Sequence, residues 1–319
     1  MWRSHLKQIR FWTRKYARRV TQLFGSRFYF NPDPDIRRSI LIAGTARSGT
    51  TWLGDLIASQ LPCRMMFEPF NPDLVPEYRG FSYFQYMRPD KGNPEFYHFA
   101  QKVFTGEIRN SWIDRQNERI VSKYRLIKEI RANLALKWLY DSFPGVPILF
   151  LVRHPCAVVL SRMELGWATD GDIEPFLSQP DLVEDHLAPY VEIMESAATA
   201  EEKHAIIWCV SNLVPLSQCR QGELKVVYYE HLCTATEGEL LGIFQTIGHK
   251  YTYRIDKNIN QPSQTTRNTS AVVTGTDKIN SWQKKLNPAQ IDNILRVVDA
   301  FGLGHLYGDS FFPSDKNNL

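Results

Sequence analysis

One stretch constrains this chain more than any other: residues 39–59, SILIAGTARSGTTWLGDLIAS. Ile40, Leu41, Ile42 and Ala43 form a short, continuous apolar run, the pattern of a strand buried on both faces of a parallel sheet. Gly44-Thr-Ala-Arg-Ser-Gly49 follows, and its two glycines let the backbone fold back sharply. Thr50 and Thr51 then open a helix in which Trp52, Leu53, Leu56 and Ile57 recur at helical spacing. A strand that feeds a helix through so tight a loop converges backbone N–H groups on one spot. The first turn of a helix has donors without partners, so that spot holds anions.

Around this unit strands and helices alternate. Short strands are predicted at 63–67 and 124–127, the strongest strand at 147–152, and another at 223–229. Helices are predicted at about 132–142, from Pro155 through Val158, Val159 and Met163, and across much of 166–221, with 205–216 the clearest. Further helices carry Leu240, Leu241, Ile243 and Phe244, and start at Pro288 behind an Asn287 cap. The fold class is α/β: a P-loop-type parallel β-sheet flanked by helices, a single domain over 38–319 with helical and loop insertions. Residues 73–120 lack a clear period. Their Tyr78, Phe81, Tyr83, Phe84, Tyr86, Phe96, Tyr97 and Phe99 read either as a cover over the cleft or as a packed satellite.

Residues 1–30 hold eight Lys or Arg and no Asp or Glu, with Trp2, Leu6, Ile9, Trp12, Tyr16, Val20 and Leu23 at three- and four-residue steps. This is a basic amphipathic helix. It suits either a peripheral membrane surface or docking on its own domain with a solvated basic face. The turn-rich segment 31–37 links it to the domain. The five cysteines are scattered and odd in number, and none forms a C-x-x-C pair. Neither a disulfide framework nor a metal site is expected, and a reducing, cytoplasmic compartment fits. No run approaches a bilayer span and no signal-peptide core follows the basic start. The net charge of +4 suits an anionic cosubstrate and does not suggest a nucleic-acid partner.

The loop frame is G-x-x-x-x-G-T-T, with Thr50 where a nucleoside triphosphatase carries lysine and the cation inside the loop as Arg47. Thr45-Ala-Arg-Ser-Gly-Thr-Thr-Trp-Leu53 resembles the 5'-phosphosulfate loop of sulfotransferases that use 3'-phosphoadenosine 5'-phosphosulfate (PAPS). Arg47 and the loop amides from Ser48, Gly49, Thr50 and Thr51 are then expected on the phosphosulfate, and Trp52 either on adenine, as the family's tryptophan is, or in the core. Downstream, Arg153 closes an apolar strand and Ser161 follows eight residues later. This resembles the family's 3'-phosphate site, in which a guanidinium fork and a hydroxyl hold the phosphate. Two anion sites select a nucleoside phosphorylated at both ends, PAPS rather than ATP. Tyr229, in Tyr-Glu-His-Leu, resembles the family's Y-E-D-L segment near adenine. Lys278 and Arg267 lie in a stretch similar to the closing loop before the last helix, where basic residues cover the nucleotide; a solvated basic loop is the plainer reading.

Transfer of a sulfonate requires a base, and carbohydrate- and tyrosine-type members use a glutamate just after the P-loop helix. Glu68 matches that place, and burial between Phe67 and Phe70 is expected to raise its pKa. Lys128, Glu129 and Arg131 follow a strand within reach of this chemistry, but as a charge run they read as the solvated start of a helix. The resemblance thus implies a PAPS-dependent sulfotransferase with Glu68 and Arg47 catalytic, using no metal. The acceptor is expected to be a hydroxyl on a carbohydrate or glycolipid. The alternatives are a P-loop small-molecule kinase and a non-catalytic membrane-docking protein.

Overall fold

The structure, a computed structural model, describes residues 29–167, 173–252, 279–308 and 310–314. The basic arm up to residue 28, Arg267 and Lys278 lie outside the described residues.

Five parallel strands, β1 (Ser39–Gly44), β2 (Cys63–Phe67), β3 (Tyr124–Lys128), β4 (Ile148–Val152) and β5 (Lys225–Tyr228), form one sheet in the order β2-β3-β1-β4-β5. The central β1 pairs Ile40 with Leu126 on one side and Ala43 with Phe150 on the other. Because side chains alternate along a strand, β1 feeds two cores. Leu41 and Ala43 pack with Ile127, Phe150 and Val152, while Ile40 and Ile42 pack with Leu126, Leu149 and Leu151. Both faces are covered, which explains strands without polar alternation.

The helices used below are α1 (Thr50–Ala58), α2 (Pro94–Thr105), α3 (Leu136–Ser142), α4 (Pro155–Met163), α5 (Ala200–Gln218), α6 (Tyr229–Thr234), α7 (Thr236–Thr246), α8 (Ser281–Lys285) and α9 (Pro288–Ala300). Leu53, Leu56 and Ile57 of α1 and Leu240, Ile243 and Phe244 of α7 cover the Ile42 face. α4, α5 and α9 cover the other. The order of strand addition switches at β1: β2 and β3 lie on one side of it and β4 and β5 on the other. In such open sheets the crevice beyond the carboxyl ends is the place for a ligand.

Three expectations are corrected. The strand predicted at 223–229 stops at Tyr228, and Tyr229 is the first residue of α6, which turns its ring toward the P-loop. The helix predicted at 132–142 begins as a 3-10 turn, Ala132–Ala135. The aromatic segment contains the regular helix α2: Asn93 caps it by accepting from the Phe96 N–H at 3.0 Å, proline opens it, and Gly106 closes it at φ 75°. Most of the segment's rings are core. Tyr78, Phe96 and Phe99 pack with Phe70 at centroid distances of 5.3–5.9 Å from it, and only Tyr83 and Phe84 of the predicted set reach the cleft.

α5 carries Pro215 inside it. Proline has no N–H for the carbonyl of Ser211. The Asn133 side chain donates to that carbonyl instead, at 3.2 Å, and the helix runs on to Gln218. It begins earlier than its apolar pattern, at Ala200, because Thr199 and Glu202 form a capping box.

Candidate active site

A cleft of about 770 Å³ opens beyond the carboxyl ends of the strands. Arg47, Gly49, Thr50, Thr51, Trp52, Glu68, Arg153, Ser161 and Tyr229 all line it. The tertiary fold thus brings to one groove residues that are far apart in the chain.

The loop after β1 is shaped by its own hydrogen bonds. Ser48 donates twice to the Thr45 carbonyl, from its N–H at 3.0 Å and its hydroxyl at 2.6 Å. Ser48 is fully buried, so its two donors hold the turn rather than face the cleft. Gly49 is the N-cap of α1 with φ 103° and no capping side chain, which leaves the helix entrance open for an anion. A β-carbon on Gly49 would lie 2.7 Å from the Tyr229 ring, so glycine is required by contact as well as by backbone.

The two cations at the β1 end of the cleft are tied together. Arg47 donates from Nε to the Ser161 hydroxyl at 3.0 Å. Arg153 donates from Nη1 to the Arg47 carbonyl at 3.1 Å and lies over the Tyr229 ring at 4.1 Å. Tyr229 also meets Trp52 edge to face at 5.6 Å. Loop, α4 and α6 are therefore joined by a guanidinium stacked on an aromatic ring, an arrangement specific to arginine. His154, next in sequence, turns away: its Nδ1 accepts from the Cys156 N–H as the cap of α4, and its ring stacks on Trp282 at 4.4 Å. Burial lowers its pKa to about 4.

The opposite end of the cleft holds Glu68, Lys128 and Arg131. All three side chains are buried, with 5–8% of each exposed. Lys128 Nζ donates to one carboxylate oxygen, and Arg131 Nη1 donates to the other at 2.6 Å. The expectation of a solvated charge run fails here, because β3 is one residue longer than predicted and ends in Lys128 within the sheet. The expected direction of the Glu68 shift fails too. Burial does push its pKa up, but the charges and hydrogen bonds of Lys128 and Arg131 together outweigh burial and hold it below the ordinary value. Lys128 is itself held below the usual lysine value by burial, with Arg131 adding repulsion against the pull of Glu68.

Glu129 does not face the cleft. It is fully buried and accepts from the N–H groups of Phe70, Ile130 and Arg131 at 2.7–2.9 Å. This fastens the turn after β3 to the turn after β2. Trp112, which the sequence reading passed over, lines the cleft and donates to the Glu68 carbonyl at 3.1 Å. No local pattern marks it; only packing against Phe67, with centroids 5.1 Å apart, brings it in.

Among the described residues, the non-glycine residues with left-handed backbone are Arg47 (φ 77°) and Glu68 (φ 46°). Such a conformation costs on the order of 1 kcal/mol or more and persists only where neighbours impose it. At Glu68 the N–H donates to the Lys128 carbonyl at 2.8 Å while its own carbonyl takes the Trp112 bond. The strained backbone aims each side chain into the same cleft.

The sheet order, the glycine-gated loop at its centre and the two-ended cleft define a P-loop-type α/β protein. The model of the sulfotransferase family matches residues 39–253, well over half of the chain, and the chain belongs to that family. No curated protein sequence matches it. Among solved structures it is similar to the sulfotransferase domain from the curacin biosynthetic pathway, at 16% identity and a TM-score of 0.44, covering 82% of this chain and 96% of that one. A second is the sulfotransferase domain from the Synechococcus PCC 7002 olefin synthase, at 16% identity and a TM-score of 0.42, with 86% and 96% covered. A third is mouse sulfotransferase SULT7A1 complexed with PAP, at 12% identity and a TM-score of 0.40, with 88% and 89% covered. Among the described residues, no helix is long and apolar enough to cross a membrane.

Proposed function

We propose that this sulfotransferase moves the sulfonate of PAPS to an acceptor hydroxyl on a carbohydrate or glycolipid. The observation that carries the reading is a single cleft with the linked Arg47, Arg153 and Ser161 at one end and the buried Glu68–Lys128 pair at the other. The residues fit a nucleotide phosphorylated at both ends. The entrance of α1 and Arg47 receive the phosphosulfate, and Arg153 with Ser161 receives the 3'-phosphate. Trp52 and Tyr229 supply apolar faces for adenine. The carbohydrate leaning rests on the arginine at position 47 and the glutamate at position 68.

In the transfer the acceptor oxygen attacks sulfur, the bond from sulfur to the 5'-phosphate oxygen breaks, and adenosine 3',5'-bisphosphate (PAP) leaves. Glu68, held ionised by its two cations, takes the acceptor proton. Its low pKa makes it a weak base in the resting protein. Lys128 must therefore leave the carboxylate for the sulfonate as the acceptor hydroxyl takes its place. That exchange both strengthens the base and places a cation on the transferring group. Arg47 and the amides at the start of α1 meet the charge that grows on the leaving phosphate.

The test is labelled-sulfonate transfer from PAPS into a panel of glycans, glycolipids, phenols and peptides. It is run beside thermal shift with PAP and with ATP and magnesium. Transfer into a sugar with stabilisation by PAP supports the reading. Stabilisation by ATP alone sinks it, and transfer confined to phenols or peptides sinks its acceptor class.

A further inference from the structure

Glu68 is reached from the acceptor side of the cleft by a second path. Arg131 donates from Nη1 to Glu68 at 2.6 Å and from Nη2 to the Tyr83 hydroxyl at 2.6 Å. The guanidinium carbon also sits 4.4 Å from the Tyr83 ring centre. Tyr83 and Phe84 project from the irregular segment between β2 and α2 and line the cleft. That segment is anchored on its far side: Gln179 donates to the Phe84 carbonyl at 2.8 Å and accepts from the Tyr86 N–H at 2.8 Å. Tyr86 in turn donates to Asp185 at 2.8 Å.

We infer that Arg131 is a positioning residue for Glu68, and that Tyr83 couples it to the acceptor: contact of the acceptor with Tyr83 is passed through one guanidinium to the carboxylate that takes the acceptor's proton. This rests on the sulfonate-transfer reading and adds to it a residue pair that senses the second substrate. The geometry has two physical consequences. A planar fork with one arm on each partner cannot shift toward Tyr83 without loosening its bond to Glu68. The bond to Glu68 is buried and the bond to Tyr83 half-buried, so the first above all is not traded cheaply for water; Arg131 itself is 6% exposed. An acceptor that draws Tyr83 toward itself therefore draws Arg131 with it, and the Glu68 carboxylate becomes more basic when a hydroxyl is there to use it. The charged groups around the carboxylate are Lys128 and Glu129 from the end of β3 and Arg131 from the turn beyond, with the neutral Tyr83 hydroxyl from the insertion on the far arm of Arg131.

The test compares wild type with Tyr83→Phe, Arg131→Lys and Arg131→Gln. In carbon-labelled protein, the Glu68 carboxyl resonance, assigned by its loss in Glu68→Gln, is titrated without ligands. Arg131→Gln is expected to raise its pKa by about one unit or more, and Tyr83→Phe by roughly half a unit. Arg131→Lys keeps the charge and is expected to stay near wild type. In turnover, the acid limb of kcat reports the acceptor-bound enzyme and that of kcat/KM the free enzyme. In wild type the kcat limb should lie at higher pH than the kcat/KM limb, and in Tyr83→Phe the separation should narrow to the part that the departure of Lys128 supplies. PAP affinity should stay within about twofold in all three variants, since none touches the nucleotide end. Glu68 titrating alike in wild type, Tyr83→Phe and Arg131→Gln overturns the inference. So does a Tyr83→Phe enzyme that keeps the wild-type separation of limbs. Failure of wild type to transfer sulfonate overturns the functional reading instead, and the carboxyl titration still decides whether Arg131 and Tyr83 set Glu68.

Discussion

Arg153 donates its Nη1–H to the main-chain carbonyl of Arg47, 106 residues earlier, at 3.1 Å. The residue assigned to one phosphate thus braces the loop assigned to the other. The two ends of the proposed nucleotide are read by parts that hold each other in place, and binding at one end depends on the other being formed.

Arg153→Lys keeps the charge but loses the fork and the flat face over Tyr229. PAP affinity, measured by calorimetry, is expected to fall about ten- to hundredfold, the loss of roughly 1.5–3 kcal/mol from hydrogen bonds to a charged group. An unchanged affinity would remove Arg153 from the nucleotide site.

Gly49→Ala and Gly54→Ala form a contrasting pair, both in or beside α1. At Gly49 the new carbon meets ring atoms of Tyr229 at 2.7 and 2.8 Å with φ at 103°. At Gly54 its one tight contact is the flexible end of Met65 at 3.1 Å, with Ile42 and Leu126 at ordinary distances of 3.8 and 3.9 Å. Gly49→Ala should lose about 2 kcal/mol or more of stability by urea titration and most PAP binding. Gly54→Ala should stay within about 1 kcal/mol of wild type and bind PAP normally.

Glu68→Gln should abolish most turnover while PAP still binds. It should also destabilise the fold by about 3 kcal/mol, because Lys128 and Arg131 stay buried without their counter-charge. The sign of the pH effect follows from the lowered pKa of Glu68. Its ionised form stabilises the protein fully above the ordinary glutamate value of 4.5, and that contribution is lost as pH falls through the lower folded value. Wild type should therefore show a loss of stability below pH 4.5 that is missing in Glu68→Gln, read from urea midpoints at several pH values. Parallel curves would mean that the ion cluster stores no such energy.

His154 sets a second pH window. Burial lowers its pKa from 6.5 to about 4, so between those values the unfolded chain binds the proton that the folded chain refuses. Stability must then fall as pH drops from 6.5 toward 4, by at most about 3 kcal/mol from this group. His204, lowered to about 4 by burial and then by Arg162, acts in the same direction. Glu129 and Glu230, raised by burial, act against it. The difference between wild type and His154→Asn, which keeps a capping acceptor, is therefore the quantity to measure. It should shrink as pH falls across the window, and a constant difference would contradict the buried neutral imidazole.

Local chemistry was enough to find the loop after β1 that lines one end of the cleft. The strand 40–43, the two glycines and Thr50–Thr51 describe a loop whose function is written in backbone geometry, and backbone geometry is set by near neighbours. Arg153 and Ser161 were also legible, since an apolar strand running into a helix fixes their spacing. The acid end was only half legible. Glu68 was found by its place after the first helix, but its surroundings were not. Lys128 and Arg131 look like solvent-facing charges in a one-dimensional reading, because nothing local says that β3 reaches one residue further or that β2 lies beside it. Trp112 and Tyr83 carry no periodic signal for the same reason.

What the amino-acid order determined by itself was the alternation of buried strands and helices, the anion-holding turn and the identity of the side chains near it. What only the tertiary structure decided was the protonation chemistry of those side chains. The state of a buried carboxylate depends on which charges lie within a few ångströms of it. For Glu68 those are Lys128 and Arg131, sixty or more residues away along the chain. Its pKa is therefore a property of how β2 and β3 pair, and pairing between strands is what a chain acquires only by folding.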